Sequence, residues 1–299
     1  MISDHELNLY FVESGGFSEL EEPVIVTSGK FLTPFFCNAE KLCGAPDIDI
    51  ALSRFSDSPA GLQRYLQPFE KESTSFRAVT ERICALAQDS LGKEEKAAVS
   101  GGQRRDWIFS IPAAEKLGIP HIPLFKADRG RIFTEMDLPG MRAVHIVDLI
   151  TKGSSIYSEN PETGAEEGWI PALRRRGARV SRVIAVVSRC QGGEEAMENK
   201  GIAVTSLIKV DASFIAGYSA NPEKNNAFLS NPRQWTMDYL KKNGIELLLP
   251  YIEKTEKKLP RLKAFVREYK GFLKELRVLE KIETEYRNKI APRIPWRQE

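Results

Sequence analysis

Apolar and polar positions change period several times along the chain, and each change marks an element. Residues 3–17 read as a short helix closed by Gly15-Gly16, and residues 22–38 as a pair of strands. Between Asp57 and Lys93, Leu62, Leu66, Phe76, Val79, Ile83 and Leu86 fall into helical spacing in the second half. That spacing predicts an amphipathic helix laid on a sheet. Residues 96–100 form a short strand opening into Gly101-Gly102-Gln103-Arg104-Arg105. A helix is expected from Trp107 to Leu117, with Pro112 in its first turn, where a missing N–H costs least. Further strands are predicted at 121–125, 142–148, 182–188 and 203–208. Strands alternating with helices imply a parallel α/β sheet, and ligands of such sheets bind beyond the carboxyl ends of the strands.

The last part of the chain follows a different rule. Phe265, Val266, Tyr269, Leu273, Leu276, Leu279, Ile282 and Tyr286 recur at three- and four-residue steps after Leu262. They predict one long helix with Pro260 in its first turn. A further helical segment over 232–253 is broken by Gly244 and Pro250. Residues 161–168, rich in acidic side chains and bounded by Pro161 and Gly168, read as a surface insertion. Arg174-Arg175-Arg176-Gly177 reads as a helix C-terminus, where cations suit the helix dipole.

Composition narrows the function classes. The 299 residues are 42% apolar and 28% charged, values ordinary for a globular protein able to bury a sizeable core. No apolar run approaches the roughly 18 residues of a membrane span, and Met1-Ile2-Ser3-Asp4-His5-Glu6 lacks the basic and apolar regions of a signal peptide. Cys37, Cys43, Cys84 and Cys190 show no C-x-x-C spacing, which points to reduced thiols in a cytoplasmic protein rather than a zinc site. The net charge of +2 conceals an uneven distribution. Residues 233–299 carry 17 Lys/Arg against 10 Asp/Glu, leaving 26 against 31 in the remainder. The basic surplus therefore lies in the tail, interleaved with acidic residues as on a solvated helix face, so nucleic acid is not the expected partner.

Candidate chemistry concentrates in Ala143-Val144-His145-Ile146-Val147-Asp148-Leu149-Ile150-Thr151-Lys152-Gly153-Ser154-Ser155. A buried strand delivering one carboxylate and then a hydroxyl-rich, glycine-containing turn suits a phosphorylated sugar. Backbone N–H groups and hydroxyls at the start of a following helix take the phosphate, and the carboxylate accepts from ribose hydroxyls. The loop after the first core strand offers Arg104 and Arg105, and a guanidinium fits a diphosphate bidentately. The alternative is that one arginine pairs locally with Asp106.

The central segment resembles the signature of the type I phosphoribosyltransferases, which bind 5-phosphoribosyl 1-pyrophosphate (PRPP). That signature is an apolar strand, two acidic residues, two apolar residues, then Thr-x-Gly and small hydroxylated residues. Asp148 occupies the second acidic position, and Val147 stands in place of the first. Within the family the likeness is greatest to the orotate enzymes. Val24-Ile25-Val26-Thr27-Ser28-Gly29-Lys30 with Thr33-Pro34-Phe35-Phe36-Cys37-Asn38 resembles their N-terminal hood. The segment from Val183 to Ser188, continuing Arg189-Cys190-Gln191-Gly192-Gly193, resembles their strand ending in Asp-Arg-x-x-Gly, with Ser188 replacing the Asp. The segment from Gly201 to Ile208 resembles their last sheet strand. Phe125-Lys126-Ala127-Asp128-Arg129-Gly130-Arg131 corresponds to their catalytic loop, shortened and without its His.

The resemblance implies a Rossmann-like parallel-sheet core with a small N-terminal hood and a C-terminal helical extension. The phosphoribosyltransferase domain would cover 1–230, with the hood over about 1–60 and the core over about 75–215, and the extension 231–299. It further implies synthesis of orotidine 5'-monophosphate and pyrophosphate from orotate and PRPP, in a homodimer. PRPP would be held by Asp148, Thr151, Lys152, Gly153, Ser154, Ser155, Arg104 and Arg105. Arg105, Lys126 and Arg129 would steady the departing diphosphate, and Asp148 would complete the catalytic set. Arg189, Phe35, Phe36 and Lys30 would serve the base. Mg2+ would be carried mainly by PRPP oxygens, with no protein metal site. Val147, Ser188 and the missing loop His leave two alternatives open. One is a PRPP- or nucleotide-binding regulator, or an enzyme for another base; the other is a non-catalytic domain whose tail recruits a partner.

Overall fold

The computed structural model describes residues 2–26, 30–92, 96–126, 132–133, 138–253, 255–277 and 279–289. They form two compact units, one of residues up to Ser18 with Cys37–Phe214, the other of Glu19–Phe36 with the chain from Ile215 onward. This division differs from the expected boundary near residue 230. Ile25 and Leu32, from the segment expected in the hood, are fully buried in one cluster with Leu240, Leu248, Leu262 and Phe265. Burial of those two side chains by the tail helices assigns residues 19–36 to the second unit.

Ten strands are present among the described residues: β1 (Phe17–Ile25), β2 (Leu32–Cys37), β3 (Ala97–Gly102), β4 (His121–Lys126), β5 (Ile132–Phe133), β6 (Arg142–Ile150), β7 (Ser158–Glu159), β8 (Glu166–Glu167), β9 (Arg179–Ser188) and β10 (Ala203–Lys209). β1 and β2 pair with each other, as do β7 and β8. The remaining six form one sheet in the order β10-β9-β6-β3-β4-β5, parallel except for the short antiparallel β5. This is the parallel α/β core that the alternation of elements predicts. From β3 the chain moves outward to β4, then returns to place β6 on the other side of β3. The strand order therefore reverses between β3 and β6, the crevice where open parallel sheets hold ligands.

The strands run near-continuously apolar because helices cover the sheet. Val183, Ala185, Ile122, Leu124, Val147 and Ile150 share one buried cluster with Trp169, Ile170 and Leu173 of the helix Trp169–Arg175. The helix Thr74–Leu91 begins at a Ser73 cap and buries Phe76, Val79 and Ile83 of the spacing read from the sequence, with Ala87 in the core in place of the half-buried Leu86.

Two prolines sit deeper in their helices than expected. Pro112 is the sixth residue of Trp107–Leu117, and it is buried with Ile108, Phe109 and Ile111. The apolar burial of its neighbours offsets the lost backbone bond. Pro260 is the sixth residue of Thr255–Glu268. The expected long tail helix is three, Thr255–Glu268, Lys270–Glu275 and Leu279–Lys289, interrupted at Tyr269 and at Arg277, whose φ is 56°. Leu262, Phe265, Val266, Tyr269, Leu273 and Ile282 nevertheless fill one cluster, so the apolar period survives the breaks.

No helix among the described residues is long and apolar enough to cross a membrane. All four cysteines are free thiols.

Candidate functional site at the strand-order reversal

The carboxyl ends of β3 and β6 lie side by side, with Gly101 opposite Ile146 in register. β6 runs on through Asp148 to Ile150, and the turn 151–155 follows immediately. Gly153 takes φ 72°, a left-handed conformation that favours glycine, and its carbonyl accepts from the N–H groups of Ile156 and Tyr157 at 2.9 Å each. The turn is braced from the neighbouring strand. Arg189 N–H donates to Ile150 O at 2.9 Å and Gly193 N–H to Thr151 O at 3.0 Å. A Cβ on Gly193 would stand 2.6 Å from Thr151 O, so glycine is what permits this approach.

The N–H groups of Lys152, Gly153, Ser154 and Ser155 donate no hydrogen bond among the described residues. The turn just after Asp148 thus exposes Lys152, Ser154 and Ser155, with Thr151 half-buried and Gly153 buried. The helix expected to start here is absent: β7 and β8 intervene as a short exposed hairpin, and the next helix begins only at Trp169. The candidate anion site is therefore a turn nest and not a helix N-terminus.

Asp148 is fixed from several sides. Leu149 N–H donates to Asp148 Oδ1 at 2.6 Å, and Asp148 N–H donates to Asp106 Oδ1 at 2.9 Å. Burial raises the Asp148 carboxyl above the ordinary range, while its hydrogen bond with Asp106 and the Arg105 cation oppose that rise. Asp106 is itself buried, and its Oδ2 accepts from Gly102 N–H at 3.0 Å. Desolvation and the nearby Asp148 charge push it well above the usual value, against the two backbone N–H groups it accepts from.

The loop between β3 and the next helix is pinned by Gln103. Its N–H donates to Leu124 O at 2.8 Å, its Nε2 donates to Ser56 O at 2.6 Å, and its Oε1 accepts from Lys126 N–H at 2.7 Å. Arg104 and Arg105 are exposed on this loop. Arg105 does not pair with Asp106. Its Nη2 lies 3.2 Å from Glu40 Oε1 and 3.9 Å from Asp49 Oδ1. Glu40 is buried, and desolvation raises its carboxyl despite the Arg105 charge.

The structure therefore gathers Asp148, the turn 151–155 and Arg105 at the reversal, with the side chain of Lys126 exposed at the end of β4. Arg129 and the rest of the expected catalytic loop over 127–131 lie outside the described residues. Arg189 is buried at the end of β9, where desolvation lowers its pKa and the neighbouring Cys37 opposes the change. Phe35, Phe36 and Lys30 belong to the second unit. There Phe35 is fully buried with its ring edge-to-face on Phe228 at 5.4 Å, Phe36 is exposed, and Lys30 O accepts from Tyr269 Oη at 2.9 Å. Glu40 and Asp106 are the residues the sequence reading missed. Asp106 follows the two arginines directly, and a lone acid beside a cationic loop is the signal available for it.

In its parallel sheet, and in the apolar strand, single Asp and Thr-Lys-Gly-Ser-Ser turn at the reversal point, the chain is similar to the type I phosphoribosyltransferases. No protein-family model matches it. Over 178 residues it is 26% identical to an orotate phosphoribosyltransferase of Methanocella arvoryzae, covering 57% of this chain and 89% of that relative. Among solved structures, orotate phosphoribosyltransferase from Aeropyrum pernix aligns with a TM-score of 0.48 and 18% identity, over 71% of this chain and 97% of that one. Leishmania donovani UMP synthase aligns with a TM-score of 0.48 and 16% identity, over 81% of this chain and 43% of that one.

Proposed function

We propose that the chain is a phosphoribosyltransferase that joins orotate to the ribosyl phosphate of PRPP. The observation that carries this reading is the turn 151–155 just after Asp148, in which Lys152, Ser154 and Ser155 are exposed and their N–H groups donate no hydrogen bond among the described residues. The 5-phosphate would lie in that turn and the ribose hydroxyls against the Asp148 carboxylate, which fixes the sugar at both ends. A ring nitrogen of orotate forms a bond to the anomeric carbon while the bond from that carbon to the diphosphate oxygen breaks, and its electron pair leaves with pyrophosphate. Arg105 and Lys126 would hold the negative charge that grows on the leaving group, with Arg129 completing the set. Arg189 would meet the orotate carboxylate, for which a planar guanidinium is the matched partner.

No group of three metal-binding side chains exists among the described residues. A hydrated Mg2+ carried on diphosphate and ribose oxygens would supply neutralising charge to the diphosphate.

A second reading is favoured by one observation: Arg105, the cation meant for the diphosphate, already has Glu40 as its partner. In that reading the chain binds PRPP or a nucleotide without turnover, or serves a different base.

The test is to mix the purified protein with PRPP, Mg2+ and orotate and follow loss of orotate absorbance together with pyrophosphate release. Turnover that disappears in Asp148→Asn supports the orotate reading. PRPP binding in a calorimeter without turnover moves the protein to the second reading, and absence of both rejects the two together.

A further inference from the structure

We propose that Asp106 is the positioning partner of Asp148 and supplies, from the loop after β3, the second carboxyl group that Val147 removes from β6. The inference rests on the phosphoribosyl-transfer reading of the site. Val147 is 3% exposed and packs into the sheet's core cluster with Ile122, Leu124 and Ile150. A carboxylate in its place would be desolvated among aliphatic side chains, so in this chain that strand position cannot offer an acid to a ligand. The acid is provided from another direction.

Asp106 stands directly before the helix Trp107–Leu117, where a carboxylate ordinarily caps the helix. Its side chain makes no such cap. It turns across the strand-order reversal, accepting from Gly102 N–H at the end of β3 and from Asp148 N–H at the end of β6. One side chain thus ties together the two strand ends that flank the candidate site. Burial and the Asp148 charge raise the Asp106 carboxyl, and burial raises that of Asp148, so the pair holds a proton to higher pH than isolated aspartates do. While that proton stays in the pair, the two carboxyls share one negative charge beside the candidate site. The other charges facing the pair are Arg105 on the same loop and Glu40 on the segment Ala39–Cys43.

The test compares PRPP affinity, its pH dependence and the melting temperature in Asp106→Ala, Asp106→Asn and Asp148→Asn. Asp106→Ala should weaken PRPP binding on the order of 10- to 100-fold, and adding Asp148→Asn should cost little more, because the two residues act as a unit. Asp106→Asn keeps an acceptor oxygen for Asp148 N–H but turns its NH2 toward Gly102 N–H, so affinity should recover only part of the loss seen in Asp106→Ala. The parent should lose affinity at alkaline pH as the shared proton leaves, and Asp106→Asn should not. Variants that melt earlier yet bind PRPP as the parent does, with the alkaline loss intact, would reduce Asp106 to a structural role and overturn the proposal.

If the parent itself binds no PRPP, the functional reading fails, and carbon-13 titration of the aspartate carboxyls decides the pairing. One carboxyl titrating late in the parent and normally in Asp148→Asn supports the pair. Ordinary titration of both in the parent overturns it. The titration and the Asn variant also carry the test if Asp106→Ala does not fold.

Discussion

Arg105 Nη2 lies 3.2 Å from Glu40 Oε1, joining a half-exposed guanidinium to a carboxylate whose side chain is only 3% exposed. The pair is asymmetric. Arg105 retains water and reach, whereas Glu40 depends on that cation for its charge. Removing Arg105 would leave a buried carboxylate without a counter-ion, and removing the charge of Glu40 would free a guanidinium at the mouth of the candidate site.

Glu40→Gln should therefore tighten binding of pyrophosphate several-fold, because Arg105 then keeps only the longer, exposed contact with Asp49 at 3.9 Å. A gain of about fivefold corresponds to about 1 kcal/mol, the scale of a partly screened ion pair. The stability effect has a defined sign. Burial raises the Glu40 carboxyl, so the folded protein binds that proton more tightly than the unfolded chain, and stability falls as pH rises through and above the ordinary carboxylate range. Gln removes that fall, so Glu40→Gln should match or exceed the parent's melting temperature at neutral pH. Pyrophosphate titrations of parent and variant at one ionic strength check the first expectation. Unchanged affinity would make the bridge purely structural.

The phosphate turn yields a steric prediction. A Cβ on Gly193 would stand 2.6 Å from Thr151 O, 2.8 Å from Ile150 Cγ1 and 3.1 Å from Gly153 N. Gly193→Ala must push the turn 151–155 away from the start of the helix Gly193–Glu198, at a cost of about 1–3 kcal/mol. PRPP affinity should fall at least about tenfold, since the turn proposed to hold the phosphate is displaced. Gly217→Ala is the control: nothing lies within 4 Å of its added Cβ, and it sits in the helix Ala212–Tyr218. There alanine should stabilise by roughly 0.5–1 kcal/mol and leave PRPP binding alone. Calorimetric PRPP titrations and thermal melts of both variants separate the two effects.

What could be read from the sequence was what adjacency carries. The apolar runs that became β4, β6, β9 and β10 end at turn residues, and Asp148 stands within seven residues of every member of its turn. The contribution of Asp106 depends on strand order, which brings it to Asp148 across 42 residues of chain, and no local pattern encodes that meeting. Glu40 is similar: it lies two residues beyond Asn38, at the edge of a recognisable segment, and only folding sets it against Arg105. The helix expected after the phosphate turn failed because Gly153-Ser154-Ser155 suits a turn as well as a helix start, and the β7–β8 hairpin follows. In the tail the apolar period was legible, but its interruptions at Tyr269 and Arg277 leave that period intact and so leave no trace in it.

His145 on β6 provides a pH prediction independent of any ligand. It is fully buried, its Nδ1 lies 3.0 Å from Ser100 Oγ, and burial pushes its pKa down to about 3. The folded state therefore binds this proton less readily than the unfolded chain. Its contribution is complete above the ordinary value near 6.5 and is lost as pH falls towards 3, at about 1.4 kcal/mol per pH unit. Urea unfolding between pH 7 and pH 4.5 should show this loss, and His145→Leu should reduce it while Ser100 turns its hydroxyl to Val144 O, 3.4 Å away; His121, its pKa also pushed down to about 3 by burial, keeps the remainder. An equal slope in parent and variant would mean that the imidazole ionises inside the fold.

The tail shares the second unit with residues 19–36, and its loss should undo the pairing of β1 with β2. Tyr251 Oη accepts from Ile25 N–H at 2.9 Å, Thr236 Oγ1 accepts from Leu32 N–H at 3.1 Å, and Tyr269 Oη donates to Lys30 O at 2.9 Å. These bonds satisfy backbone groups that β1 and β2 leave over, while Leu259, Leu262, Phe265, Val266 and Leu273 cover Ile25 and Leu32. Tyr251→Phe leaves the Ile25 N–H buried without a partner and should cost about 1–3 kcal/mol. Truncation before Leu259 is far more severe, because each large apolar side chain withdrawn from the cluster forfeits about 1.5–3 kcal/mol of burial. The shortened chain should lose cooperative unfolding of this unit and expose the β1–β2 pair, which two strands alone do not stabilise in water. Hydrogen exchange at Ile25 and Leu32 reads the effect directly: slow in the full chain, faster in Tyr251→Phe at Ile25, and near the unfolded rate at both after truncation. Protection that survives truncation would show that the hairpin is held by contacts other than the tail's.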